Sequence, residues 1–164
     1  MRRLLNLLVC AVAVLLLALP QPAGAITAPE LRGAKSMQDL NPDMHGRNLQ
    51  QKEFLKMDLK EFNFSDADLR FVVFNGTQLQ DADLSGADLR DVVAFATRFD
   101  GADLRQARFD NGMLLQSRFR DAQIDGADFS DAVIDQPELK ALCARASGVN
   151  AVSGVSTTDS LRCG

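Results

Sequence analysis

The chain has 164 residues, of which 46% are hydrophobic, so it has room for one folded domain. Its formal net charge is −4, which makes it moderately acidic. It contains one histidine and three cysteines. This composition disfavours a general nucleic-acid binder, which needs clustered Lys and Arg, and it removes the commonest catalytic triads.

Residues 1–25 have the pattern of a secretory signal peptide. Arg2 and Arg3 form the charged region, Leu4 to Leu19 form an apolar stretch, and Ala23-Gly24-Ala25 is an A-x-A cleavage site. We therefore expect an exported protein with no membrane span after signal removal. Loss of the two arginines would change the formal net charge from −4 to −6. The arginine pair leaves both Sec and twin-arginine export open.

Residues 26–46 are predicted to form an N-terminal helical cap. Thr27-Ala28-Pro29-Glu30 fits a capping box, so a helix is expected from Ala28 to about Met37, before the break at Asn41-Pro42. We expect this helix to cover the N-terminal end of the segment that follows it.

Residues 47–139 repeat with a period of five. Every fifth position from Leu49 to Leu139 is Leu, Phe or Ile, with Ala94 as the single exception. Two residues earlier in each unit, every position from Ala67 to Ala132 is small or β-branched. A period of five fits neither an α-helix nor a strand, and it is typical of a solenoid whose short units bury their apolar sides by stacking. Two residues of each unit should point inward and three should face water.

Units such as Ala67-Asp68-Leu69, Ala87-Asp88-Leu89 and Ala102-Asp103-Leu104 have the A-(D/N)-L-x-x form and resemble the pentapeptide-repeat family. That resemblance implies an all-β solenoid, a right-handed quadrilateral β-helix with four units in each coil and short helical caps at both ends. Residues 20 apart in sequence would then stack at the strand spacing of ~4.8 Å, giving a rod roughly 22 Å long.

The first coil departs from this pattern because Arg47 and Lys52 occupy inward positions. Long charged side chains cannot lie unpaired in so narrow an interior. Regular coiling is therefore expected from about Met57 onward, with the earlier units splayed or covered by their own side chains.

Residues 140–164 are predicted to close the C-terminal end. A helix is expected over Glu138 to Ala146, followed by a tail from Val149 to Gly164 with little capacity for a core of its own. Cys143 and Cys163 in an exported chain favour a disulfide, which would stabilise the cap by roughly 3 kcal/mol on the loop-entropy model. The alternative is a metal pair, but two thiols without further ligands make a poor site.

Stacked carboxylates are the remaining candidates for chemistry. Asp68 would lie under Asp88, and Asp83 under Asp103, which could bind Ca²⁺ or shift a pKa. Exposed ion pairs with neighbouring arginines explain the same residues without a ligand. We therefore predict no catalytic residue, no metal site and no cofactor.

One outer face carries apolar residues where the other faces are polar. The members of this apolar stripe, which Asn75 interrupts, are Leu55, Val73, Val93, Phe95, Met113, Leu115 and Val133. A contiguous exposed stripe is predicted to be covered, either by the chain's own N-terminal segment or Val149 to Val155 tail, or by a partner or second copy. Phe95 and Met113 would be the central anchors.

Two groups of the pentapeptide-repeat family bear on function. A signal peptide, a short rod and a cysteine-containing cap resemble exported members of cyanobacteria and the thylakoid lumen, which implies a non-enzymatic scaffold or protein-protein interaction module of the lumen or periplasm. The alternative is a DNA-mimicking, gyrase-binding protein, and a metal-binding or catalytic rod comes third. Basic side chains on one face argue against the DNA mimic: Lys60, Arg98, Arg118, Arg120 and Lys140.

Overall fold

The computed structural model describes residues 41–164, and the signal peptide and the N-terminal helix predicted above lie outside them. Parallel bridges join residues 20 apart in sequence, from Asp43 and Asn63 to Met113 and Val133, and every fifth residue takes part in one. The chain therefore coils with four sides to each turn. The bridges are isolated rather than part of extended strands, because only a few residues lie between successive corners.

Hydrogen bonds connect each coil to the next and close each corner. The Leu69 N–H donates to the Asp88 carbonyl at 2.8 Å, and the Asp88 N–H donates to the Ala67 carbonyl at 3.0 Å. At the corner that follows, the Val72 N–H donates to the Leu69 carbonyl at 3.2 Å, closing a turn whose third residue has a φ of 58°. The sides and corners thus satisfy their backbone groups without long strands.

The interior consists of the two inward residues of each unit. The central Leu and Phe side chains are fully buried, and Phe rings stack on neighbours one coil away, with centroids 5.1 Å apart for Phe99 and Phe119. One column of small residues is polar: the hydroxyls of Thr77, Thr97 and Ser117 donate to carbonyls of the preceding coil. These hydroxyls are buried but paired, so they do not oppose folding.

The coil begins earlier than the sequence predicted. Residues 41–46 contain no helix, and Asp43 already bridges Asn63, although regular coiling was expected only from about Met57. Arg47 and Lys52 are exposed at the end of the described coil, so their charges are not forced into the interior. Regular bridging and the two cations are therefore compatible.

The C-terminal end also differs in its bounds from the expectation. The last coil-to-coil bridge is at Val133, and helix α1 spans Gln136–Cys143 rather than 138–146. Asp135 is its N-cap residue and Pro137 lies in its first turn, where proline costs no intrahelical hydrogen bond. The helix therefore begins inside the range assigned to the coil.

The tail is more ordered than its composition indicated. Val149 bridges Ser156, and a second helix, α2, spans Thr157–Ser160. Ser156 caps α2 by accepting from the Asp159 N–H at 3.1 Å. Leu161 is buried against the coil, so the tail adds to an existing core instead of forming its own.

Candidate interaction surface

The residues of the apolar stripe lie together on one side of the coil. Val73, Val93, Met113 and Val133 follow one another in a ladder of bridges, one on each successive coil. Met113 is 50% exposed and Phe95 is 44% exposed, and Leu55 and Val133 are exposed to a similar degree. Val73, Val93 and Leu115 are half-buried by these neighbours.

Phe71 extends the same surface and was missed by the sequence reasoning. It lies at the corner before Val73, is 51% exposed, and has a φ of 58°. A bulky aromatic residue rarely adopts this left-handed conformation. Most of the other coil corners carry Asp, Asn, Gln or Gly, so the only available signal was an aromatic residue at a corner position.

The Val149 to Val155 tail does not cover the stripe. The Gln106 side chain donates to the Val149 carbonyl at 3.1 Å and accepts from the Ala151 N–H at 2.7 Å, while the Asn150 side chain donates to the Gly126 carbonyl at 2.9 Å. Gln106 and Gly126 lie at a different corner, which does not border the stripe. The prediction that the Val149 to Val155 tail covers the stripe is therefore wrong, and the other predicted cover, the N-terminal segment before residue 41, lies outside the described residues.

The wall beyond the next corner of the coil carries arginines, of which Arg98 and Arg118 lie on its near edge beside the stripe and Arg120 lies on its far edge. We call Arg98, Arg118 and Arg120 the basic flank. Arg98 and Arg118 are bridge partners on adjacent coils. Two carboxylates lie on the same wall: Asp100 pairs with Arg98 at 3.0 Å, and Glu138 accepts from the Phe119 N–H at 3.1 Å. Arg118 and Arg120 are exposed and join no ion pair in residues 41–164, so these two cations are available to an anionic group.

The side on the opposite border of the stripe neutralises its own charges. In this ion-paired wall, Arg70 lies 2.7 Å from Asp68 and 3.7 Å from Asp88, and Arg90 lies 2.6 Å from Asp88. The hydrogen bond from Arg70 lowers the pKa of Asp68 to about 2. Burial acts to raise the pKa of Asp88, but its bonds from Arg90 prevail and lower it.

The other predicted carboxylate stack, Asp83 and Asp103, is also hydrogen-bonded to neighbouring side chains. Asp83 accepts from the Ser85 hydroxyl at 2.6 Å, and Asp103 accepts from Arg105 Nε at 2.9 Å, which lowers the pKa of Asp103. Across residues 41–164, no group of three or more His, Cys, Asp or Glu side chains could hold a metal ion. The predicted carboxylate stacks therefore form ion pairs and turn contacts in this structure.

The cap joins α1 to the chain end. Cys143 and Cys163 are bonded, with Cα atoms 5.5 Å apart, and the Ser160 hydroxyl accepts from the Phe129 N–H at 3.0 Å. A cleft of about 360 Å³ lies between the cap and the last coil, and Val133 of the stripe is part of its lining. In the described part of the chain, no helix is long and apolar enough to cross a membrane.

A four-sided coil with a filled interior and distinct outer walls defines a solenoid scaffold. The family model for pentapeptide repeats matches residues 58–92 and 97–136 in eight copies. The chain belongs to the pentapeptide-repeat family. Family membership implies a right-handed quadrilateral β-helix, and such proteins are generally structural or interaction modules.

Solved structures similar to this chain come from several settings. One is a pentapeptide repeat protein of the Arabidopsis thaliana thylakoid lumen, at 31% identity over 73% of this chain and 90% of that chain, with a TM-score of 0.36. Another, from Nostoc PCC 7120, has 23% identity over 58% and 77%, with a TM-score of 0.44. The plasmid-mediated fluoroquinolone resistance protein QnrB1 has 17% identity over 57% and 51%, with a TM-score of 0.36. No curated protein matches the chain.

Proposed function

We propose that this protein is an exported, non-enzymatic interaction module of a thylakoid lumen or a periplasm that binds a protein partner through the apolar stripe. The observation that carries this proposal is that Phe95, Met113 and Val133 lie on one wall with about half of each side chain exposed. The signal-peptide pattern of residues 1–25 and the lumenal relative support the compartment.

The stripe has no evident role in holding the coil together. Inward side chains form the core, and the outward positions of the ion-paired wall are charged without any loss of bridging. Polar residues would therefore serve at the stripe equally well for folding and better for solubility. An apolar ladder at positions where the other walls are polar differs from singly scattered exposed residues, and such rows favour an interaction site.

DNA mimicry with gyrase binding is the second candidate, favoured by one acidic side that includes Asp83, Asp103 and Asp121. Arg105 neutralises Asp103 on that side, and the basic flank is a poor imitation of a DNA backbone. Supercoiling by purified gyrase in the presence of the mature protein tests this candidate, and we expect no protection and no inhibition.

The main test replaces Val93 and Met113 by Glu in the mature protein. Both positions face outward, so we expect the free energy of unfolding to stay within about 1 kcal/mol of wild type. Partners captured from the native compartment would be identified by mass spectrometry, purified and titrated against both proteins. We expect the double variant to lose that direct binding, because it places two charges against an apolar contact.

Val152→Glu is the matched control, since Val152 is 77% exposed but lies on the tail. It should bind every partner as wild type does. If the Val93→Glu, Met113→Glu protein keeps each purified partner and the same oligomeric mass, the stripe is not an interface and the proposal is wrong.

A further inference from the structure

We infer that the occupant of the apolar stripe is an amphipathic helix of another protein, with acidic residues along the side that meets the basic flank. This inference rests on the proposed function and adds the partner's secondary structure, its charge and its orientation. Three features restrict what kind of partner can bind: the available backbone groups, the length of the stripe and the charges beside it.

The bridging residues of the stripe, Val73, Val93, Met113 and Val133, have both backbone groups paired within the coil. The Val93 N–H donates to the Val72 carbonyl at 3.0 Å and its carbonyl accepts from the Phe74 N–H at 2.8 Å, while the Met113 N–H and carbonyl are paired at 2.8 and 2.9 Å. An extended peptide laid along the stripe would therefore find no continuous edge to pair with, and most of its own backbone would face apolar side chains unpaired. A helix satisfies its backbone internally and presents only side chains.

The dimensions of the stripe suit one helix better than a second folded rod. It crosses four coil-to-coil steps from Leu55 to Val133, which is about 19 Å at the strand spacing. A helix of about 13 residues has that length. The wall is about three residues wide, which is roughly 10 Å along the strand direction. The footprint of the stripe is therefore on the order of 200 Å², far below the ~800 Å² that each partner buries in a standard stable interface.

The charges on the two borders differ and set the orientation. Arg118 and Arg120 are exposed without ion pairs in residues 41–164, whereas Asp68, Arg70, Asp88 and Arg90 neutralise one another on the other border. Glu or Asp along one side of the helix would meet Arg118 at the near edge of that wall and be attracted by Arg120 across it, and a basic side would be repelled by both. Phe71 lies on the neutral border, where it offers the helix a further apolar contact.

The probe is a fluorescein-labelled peptide of about 14 residues with Leu and Phe at helical spacing and Glu along one side. A second peptide carries Lys at the Glu positions, and a third is the first peptide shuffled. We expect the acidic peptide to bind the mature protein about tenfold more tightly than the Lys peptide, as two exposed charge pairs would produce. The advantage should shrink as salt rises from about 0.05 to 0.3 M.

Charge reversal distinguishes lost binding from lost folding. The Arg118→Glu, Arg120→Glu protein should prefer the Lys peptide over the acidic one, a gain of binding that a misfolded protein could not show. Arg105→Glu, which changes an arginine on a different wall, should keep the wild-type preference. Met113→Glu should bind neither peptide.

Three outcomes would overturn the inference: no binding of the acidic peptide up to about 1 mM, equal binding of the shuffled peptide, or an unchanged preference in the charge-reversed protein. A dimer that Val93→Glu dissociates would identify a second copy as the occupant and also overturn it. Loss of a purified native partner by the Val93→Glu, Met113→Glu protein, with no peptide binding, would leave the proposed function standing and reject the acidic helix alone.

Discussion

The apolar stripe and the ion-paired wall adjoin at the corner occupied by Phe71, and they share one backbone. Val73 and Val93 bridge on one wall, and Asp68 and Asp88 bridge on the other, with the same spacing of 20 residues. The inward neighbours are alike, since Val72 and Ala87 are both fully buried. The coil is therefore specified by its inward residues, and outward residues are free to differ for reasons other than folding.

The largest expected effect on stability comes from overpacking the coil interior, on which both walls depend. Ala102→Phe places a ring at a fully buried inward position, where coils above and below leave no direction in which to relax. We expect a loss of about 3 kcal/mol or more of unfolding free energy, measured by urea denaturation. Ala127→Phe should behave similarly.

Gln123→Phe is the matched control, because Gln123 is the exposed residue beside a buried alanine. It should unfold close to the wild-type midpoint. Wild-type stability for both alanine variants would mean that these alanines tolerate bulk, and the separation of inward from outward roles would be wrong.

The second expected effect is confined to the cap. Cys143→Ser removes the link to Cys163, and we expect a loss of roughly 3 kcal/mol at most, because the disulfide restrains only the short loop that it closes. Hydrogen exchange should quicken around Asn150 and α2 and stay slow at Val73 and Asp88. This pattern would show that neither wall depends on the cap.

The oxidation state of the cysteine pair is itself measurable. Mass spectrometry of unreduced protein from the exported compartment should find Cys143 linked to Cys163. Two free thiols in that material would contradict the prediction. In the hydrogen-exchange experiment, an equal increase of exchange rate in the cap and in the coil of Cys143→Ser would show that the two unfold together.

The repeated parts were well predicted because the same class of residue recurs at every inward position. A large apolar residue occurs at each fifth position, as at Leu69, Leu89 and Phe109, so the single exception at Ala94 does not obscure the period. The 20-residue stacking and the exposure of Phe95 and Met113 follow from that register.

The parts that occur once were harder to predict. The contacts of Gln106 with the tail join residues 43 and 45 positions apart, and the five-residue repeat does not predict them. The bounds of α1 depend on where the last coil stops, and helix α2 depends on a single Ser156 cap. Phe71 was missed because its corner position was treated as one more turn.

The smallest expected effect separates the two walls by their response to pH. The pKa of Asp68 is lowered to about 2, chiefly by the hydrogen bond from Arg70, so its folded-state pKa lies below that of the unfolded chain. The stabilisation is therefore present above pH ~4 and declines as pH falls toward 2. Solvent screening limits it to about 1 kcal/mol or less. Asp68→Asn should be less stable than wild type at pH 7, and urea denaturation should show this difference in unfolding free energy narrowing between pH 5 and about 2.

Val73→Thr, a neutral change on the apolar wall, should differ from wild type in unfolding free energy by a constant amount over that range. A constant difference for Asp68→Asn as well would show that Arg70 does not stabilise the Asp68 carboxylate, and the contrast between the two walls would then be one of polarity alone.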